Sequence, residues 1–206
     1  LIFLLTLMYL YSFIMITALI VIATIIWIEF YALISKIIKK NKFKDKFLRF
    51  FYKAISLLYL LLIVFLIFTI ESFYPNQKIY LLYVILVAIL SDIGGLIIGK
   101  TFKGKKLTKI SPNKTISGSV GSFFFSIILI PFFYKDLIEF NFLIMIIISL
   151  TISFISQAGD LFISYVKRKA KVKDTSDMLP GHGGFLDRVD GIIFAIPIGL
   201  ILFNLF

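Results

Sequence analysis

The chain has 206 residues, 60% of them hydrophobic, a mean hydropathy of +1.04 and a formal net charge of +11. A soluble domain is about 45–50% apolar on a similar count, so this composition describes a polytopic membrane protein with no separate soluble domain. The absence of cysteine excludes disulfides, thiolate catalysis and Cys-ligated metals. The positive charge needs no nucleic acid, because cytoplasmic segments of membrane proteins carry Lys and Arg.

Apolar runs of about 20 residues are long enough to cross the hydrocarbon core. They predict an all-α protein with about six spans, at roughly 3–34, 54–71, 79–99, 116–134, 141–163 and 188–206. The first run is too long for a signal-peptide core and lacks a basic leader or a cleavage site. Its length fits a steep tilt or two shorter pieces. The chain opens on Leu1 rather than Met, which leaves its N-terminus open to being incomplete. Pro131 and Pro197 fall inside spans and are expected to kink them.

The segments between the spans alternate in charge. Those at 36–53, 100–114 and 164–188 are rich in Lys and Arg, whereas 72–78 and 135–140 are not. This alternation places the three basic segments in the cytoplasm and both termini outside. No internal repeat is visible, so a single domain over residues 1–206 is expected, with its chemistry in about 90–191.

Asp92 lies in the apolar run L-S-D-I-G-G-L-I-I-G-K, about 12 Å inside its basic end at 1.5 Å per residue. Asp160 lies likewise in S-Q-A-G-D-L-F-I-S. An acid at membrane depth is costly and marks a candidate site, although a polar contact between helices would also account for it. Gln157, Asp160, Ser164 and Lys167 or Arg168 step by three or four and share one helix face. Between the last two spans the chain reads K-V-K-D-T-S-D-M-L-P-G-H-G-G-F-L-D-R-V-D-G. Asp187 and Asp190 are expected to open the last helix, whose N-terminus favours carboxylates. An ordinary capping arrangement with Arg188 as a partner is the simpler account of the same pair.

Hard cations take carboxylate oxygens, and Mg²⁺ takes one or two of them together with substrate phosphates. Asp160, Asp174, Asp187 and Asp190 are the candidate ligands, for one Mg²⁺ or for Mg²⁺ with a second cation. The lysines could equally hold anionic lipid headgroups. His182 sits in P-G-H-G-G, a turn that can bring N–H groups to a phosphate; it can orient a phosphate, protonate a leaving group or pin the loop. In I-S-P-N-K-T, Lys114 precedes the N-terminus of the next helix, a plausible anion site.

The stretch 157–191 resembles the signature of the phosphatidate cytidylyltransferase (CDP-diacylglycerol synthase) family. It has Ser164, Lys167-Arg168, Lys173-Asp174, the turn Pro180 to Gly184 and Asp187-Arg188-Val189-Asp190 in the family's order. Residues 110–115 resemble the family's second motif, and Asp92 with Gly99-Lys100 fits the region before it. Where the family commonly has Ser-Gly after Lys-Asp, this chain has Thr175-Ser176. Gly191 stands where serine is common, Ser117 where an acid is usual, and Asp92 to Leu96 replace Asp-x-x-Ala-Tyr.

The resemblance implies CTP and phosphatidate as substrates, and CDP-diacylglycerol and pyrophosphate as products. The implied setting is the inner membrane of a bacterium, with the site facing the cytoplasm. Asp174, Asp187, Asp190 and His182 would be catalytic, while Ser164, Lys167, Arg168, Lys173, Arg188 and Lys114 would hold phosphates. A homodimer is left open. Two other readings compete: a CTP-dependent lipid or polyprenol kinase, and an ion-coupled transporter with Asp92 and Asp160 lining the path. The D-G-x-x-A-R core of the CDP-alcohol phosphotransferases is absent.

Overall fold

The computed structural model describes residues 12–39, 42–137, 139–178, 181 and 183–206. Its helices are α1 (Ser12–Ile37), α2 (Phe43–Phe73), α3 (Lys78–Phe102), α4 (Ile116–Ile128), α5 (Ile130–Phe133), α6 (Phe142–Lys169), α7 (Leu186–Val189) and α8 (Ile192–Leu205), with a 3₁₀ turn at Pro75–Gln77. The extended pairing among the described residues is an isolated bridge between Lys106 and Thr115. The protein is an all-α integral membrane protein, as expected. Among the described residues, five helical segments are long and apolar enough to cross a membrane: Phe13–Ile37, Phe43–Phe73, Pro75–Phe102, Ile116–Phe133 and Phe142–Lys169.

The expected boundaries change in three places. Helix α2 starts at Phe43, not near 54, because Lys and Arg are good helix formers and Phe43, Phe47 and Phe50 recur at helical spacing. Helix α6 likewise runs on through Lys167, Arg168 and Lys169, whose charges suit a helix C-terminus. The expected sixth span breaks at Asp190-Gly191, leaving α8 with 14 residues. That is about 21 Å, shorter than the roughly 30 Å core. Pro131 coincides with the break between α4 and α5, whereas α8 continues through Pro197.

The chain divides into two compact units. The first takes the residues up to Asn76 together with Val166–Arg188, and the second takes Gln77–Tyr165 with Val189–Phe206.

In the first unit α1 packs on α2. Ile26, Leu33 and Ile34 are buried from α1, and Leu60, Ile63, Ile67 and Ile70 from α2. The α2 stripe recurs every three or four residues, one face of a helix. The opposite face leaves Leu58, Leu61, Leu62 and Phe65 exposed, as suits lipid. Trp27 Nε1 donates to the Lys53 carbonyl at 3.0 Å, and Lys53 Nζ lies 4.9 Å from the Trp27 ring centroid and 4.8 Å from that of Tyr31.

In the second unit α3 and α4 approach closely through small residues, as membrane helices often do. A Cβ on Gly121 would lie 2.4 Å from the Ile98 Cβ and 2.8 Å from the Gly94 carbonyl, so no side chain fits there. Helix α3 meets α6 through two buried hydroxyl pairs, Tyr83–Ser149 at 2.6 Å and Ser91–Ser153 at 2.7 Å. Tyr80 stacks on Phe203 of α8 at 4.8 Å.

Candidate active site

In the second unit the loop before α4 is folded back on itself. Leu107 N donates to the Lys114 carbonyl at 2.7 Å and Ile116 N to that of Lys105 at 3.0 Å. Thr115 caps α4, its side chain accepting from Gly118 N at 3.0 Å, a standard N-cap bond. The loop is thereby fixed with the Lys114 ammonium ion-paired to Asp160 of α6. Ser164 Oγ donates to Asp160 Oδ1 at 3.3 Å, one helical turn on. Asp92 of α3 stands within Coulombic reach of both Asp160 and Lys114. Asp92, Lys114 and the helix face of Asp160 and Ser164, picked out separately in the sequence, are thus brought together, with Gln157 one turn away accepting from Ser119 Oγ at 2.6 Å.

Asp190 does not open the last helix. It lies in the turn before α8, buried, with Oδ1 accepting from Gly191 N at 2.9 Å. Its carbonyl would stand 2.9 Å from a Cβ on Gly159, so the turn rests directly on α6.

In the first unit the signature loop leaves the end of α6 and folds around Asp187. Lys167 Nζ donates to Asp187 Oδ1 at 2.6 Å. Oδ2 accepts from Thr175 N at 2.8 Å, Thr175 Oγ at 2.9 Å and Gly184 N at 3.1 Å. Burial pushes the Asp187 carboxyl up, but the Lys167 hydrogen bond and charge and the two backbone N–H groups outweigh it, holding it below the usual carboxylate range. The expected cause, the N-terminus of the last helix, does not apply, because Asp187 belongs to the one-turn α7.

Gly183 takes φ +79°, a left-handed conformation that glycine adopts without strain. It brings the backbone against both acids: a Cβ there would lie 3.0 Å from Asp187 Oδ2 and 3.4 Å from the Asp174 Cβ. Asp174, Lys173 and Arg188 are exposed. Arg168 is turned back to the chain, Nη1 donating to the Val172 carbonyl at 3.3 Å beyond the helix end. His182 and Pro180 lie outside the described residues.

One residue of this loop's framework went unnoticed in the sequence. Glu29 of α1 is 4% exposed. It accepts from Thr175 Oγ at 2.9 Å, Ser176 Oγ at 2.6 Å, Phe185 N at 3.0 Å and Leu186 N at 2.8 Å. The signal was present, since Glu29 is the only acid before Asp45 and an acid in an apolar span is a site candidate.

Hard oxygen donors without thiolates suit Mg²⁺. Among the described residues no group of three or more His, Asp or Glu is arranged to hold a metal ion. A Mg²⁺ shared with substrate phosphates needs only one or two carboxylates, so the donor set fits such an ion.

The sequence matches the cytidylyltransferase family over residues 1–206. The chain belongs to that family. A phosphatidate cytidylyltransferase of Rickettsia typhi (strain ATCC VR-144 / Wilmington) is 42% identical over 131 residues, which cover 60% of this chain and 57% of the relative. One from Staphylococcus aureus (strain COL) is 42% identical over 122 residues, 58% of this chain and 46% of the relative. One from Rickettsia bellii (strain RML369-C) is 48% identical over 115 residues, 52% and 50% respectively. The chain spans about half the length of the curated relatives it matches.

Proposed function

We propose that the chain transfers the CMP moiety of CTP to phosphatidate, giving CDP-diacylglycerol and pyrophosphate. An oxygen of the lipid phosphate attacks the α-phosphorus of CTP, and the bond to the departing pyrophosphate breaks. No protein nucleophile is needed, because the lipid phosphate is already an anion. The obstacle is repulsion between two polyanions, so cations must offset charge and hold the reacting groups in line.

The observation that carries this reading is a repeated pairing of a cation with a carboxylate: Lys167 with Asp187 in one unit, Lys114 with Asp160 beside Asp92 in the other. Lysine is a phosphate binder that acts as a point charge. Lys114, Lys167, Lys173, Arg168 and Arg188 are assigned to phosphates, with Ser164 supporting Asp160. Carboxylates of the kind Mg²⁺ accepts are Asp174 and Asp187 in the first unit and Asp160 and Asp190 in the second. When bound, Mg²⁺ supplies charge neutralisation at phosphate oxygens. The similarity to relatives named phosphatidate cytidylyltransferase supports the choice of substrates. The basic segments support a reading in which the chemistry faces the cytoplasm at a bacterial inner membrane.

The test supplies purified membranes with labelled CTP and phosphatidate, with and without Mg²⁺. CDP-lipid with pyrophosphate, formed only with the metal, supports the proposal. Phosphorylated lipid with CDP would replace it by a kinase, and CDP-lipid formed equally well after chelation would remove the metal.

A further inference from the structure

We infer that Glu29 is a positioning residue: it clamps both feet of the signature loop and thereby sets where Asp174 and Asp187 stand. The kinetic part of this inference rests on the proposed function, whereas its structural part does not.

A buried glutamate could be an ordinary satisfied core group. The identity of its donors says more. All four come from a single loop, two before the Gly-rich turn (Thr175 Oγ, Ser176 Oγ) and two after it (Phe185 N, Leu186 N). They lie 146 to 157 residues from Glu29 in sequence. A carboxylate offers about four lone-pair sites, enough for each of these four donors at the base of one loop. Asp187 closes the same base from within, through Thr175 N and Gly184 N.

The two acids are coupled through the Thr175 hydroxyl, which stands 2.9 Å from Glu29 Oε2 and 2.9 Å from Asp187 Oδ2. A hydroxyl has one proton, so it serves one carboxylate at a time. The space is also fitted. A Cβ on Gly184 would fall 2.6 Å from Glu29 Oε2, so the loop backbone is seated directly against the carboxylate.

The departure from the family pattern acquires a reason here. Thr175 keeps the hydroxyl that the common serine would supply. Ser176, where glycine is common, adds a tie to Glu29 at 2.6 Å. Without Glu29, the N–H of Leu186, itself buried, and the N–H of Phe185 would lose their acceptor, which buried backbone donors rarely tolerate. The loop would move to find others, and Asp187 would move with it.

The experiment uses the chain in lipid nanodiscs with Glu29→Ala, Glu29→Gln and Ser176→Gly, read by hydrogen exchange and by steady-state kinetics with CTP and phosphatidate. For Glu29→Ala, exchange at Phe185 and Leu186 should rise at least about tenfold while α3 amides stay protected. The kcat should fall on the order of 100-fold, the loss that a misplacement of about 1 Å can cause, with KM for CTP changed by less than about threefold. Glu29→Gln should show a clear part of both effects, since an amide cannot accept four bonds. Ser176→Gly, the mildest of the three changes because it removes a single bond to Glu29, should raise exchange at the first foot of the loop by a few fold.

Unchanged exchange in Ser176→Gly and Glu29→Gln overturns the inference, and so does a rise spread evenly over α1 and α2, which would mark a merely structural acid. A wild-type chain that makes no CDP-lipid sinks the proposed reaction instead, and the exchange result then judges Glu29 alone.

Discussion

The Lys167–Asp187 pair offers the sharpest test of how the signature loop is held. Their atoms are 2.6 Å apart and the side chains only 12% and 10% exposed. Removing one partner of a buried pair costs about 3–5 kcal/mol, mainly because the other charge is left unpaired. With a tenth of each side chain still wet, the lower end applies, about 3 kcal/mol, for Asp187→Asn, and a similar loss for Lys167→Met. The double variant removes both charges. It should be about as stable as the worse single variant, not about 6 kcal/mol down as independent losses would give. Unfolding in detergent micelles followed by helical circular dichroism measures this, and additive losses would refute the pairing argument.

The pH dependence of the same pair follows from the sign of the shift. The Asp187 carboxyl is held low in the folded chain, so its contribution is fully present above the unfolded value of about 3.9. It is lost as pH falls through the lower folded value. The stability gap between wild type and Asp187→Asn should therefore be flat from about pH 5 to 8 and close only below about 4. Turnover separates chemistry from stability: Asp187→Asn should abolish Mg²⁺-dependent activity while remaining inserted in the membrane, and normal activity would end its assigned role.

Lys114→Met should raise KM for CTP about 10–100-fold, the worth of a charge-assisted hydrogen bond of about 1.5–3 kcal/mol; Lys114→Arg should recover part of it in the same kinetic assay. Gly121→Ala should destabilise the second unit by about 1–3 kcal/mol through overpacking, seen as a lower unfolding midpoint, because its Cβ would meet Ile98 at 2.4 Å. Gly183→Ala should cost about 1–2 kcal/mol for the left-handed backbone alone, with a disproportionate loss of turnover because the new Cβ would press on Asp187 Oδ2. Removing divalent ions with a chelator should stop product formation, and added Mg²⁺ should restore it, as measured by release of pyrophosphate.

What the sequence revealed depended on how local the physics was. Apolar length marked the spans because crossing the hydrocarbon core is a property of one segment. The shared face of Asp160 and Ser164 was readable for the same reason, since the two are four residues apart. The break before α8 was hidden, because the apolar run beyond Gly191 looks continuous with Asp187-Arg188-Val189-Asp190. It arises where the Asp190-Gly191 backbone rests on Ser156 and Gly159, a contact that no local pattern encodes. The same limit explains Glu29. Its residue type was visible, but its four partners lie beyond Asp174 in a loop that the sequence cannot fold back onto α1. Lys114 and Asp160 were each singled out by type, and only the fold makes them a pair.

Glu29 and Asp187 also show why a loop of this kind should be held by acids at all. Among the described residues of Thr175–Asp187, none before Leu186 is α-helical, so their backbone N–H groups have few internal acceptors. The buried ones, such as the N–H of Leu186, need an acceptor from elsewhere in the fold. A carboxylate supplies about four acceptor sites from one side chain, and one mounted on a long helix does not move when the loop is pulled. Phosphates and a divalent ion would pull hard on Lys167, Lys173 and Asp174. Serine or asparagine at position 29 would offer fewer acceptors and no negative charge to draw the hydroxyls and N–H groups inward. An acid in α1 is therefore not a stray charge in an apolar run but the fixed point against which a charged loop can be loaded.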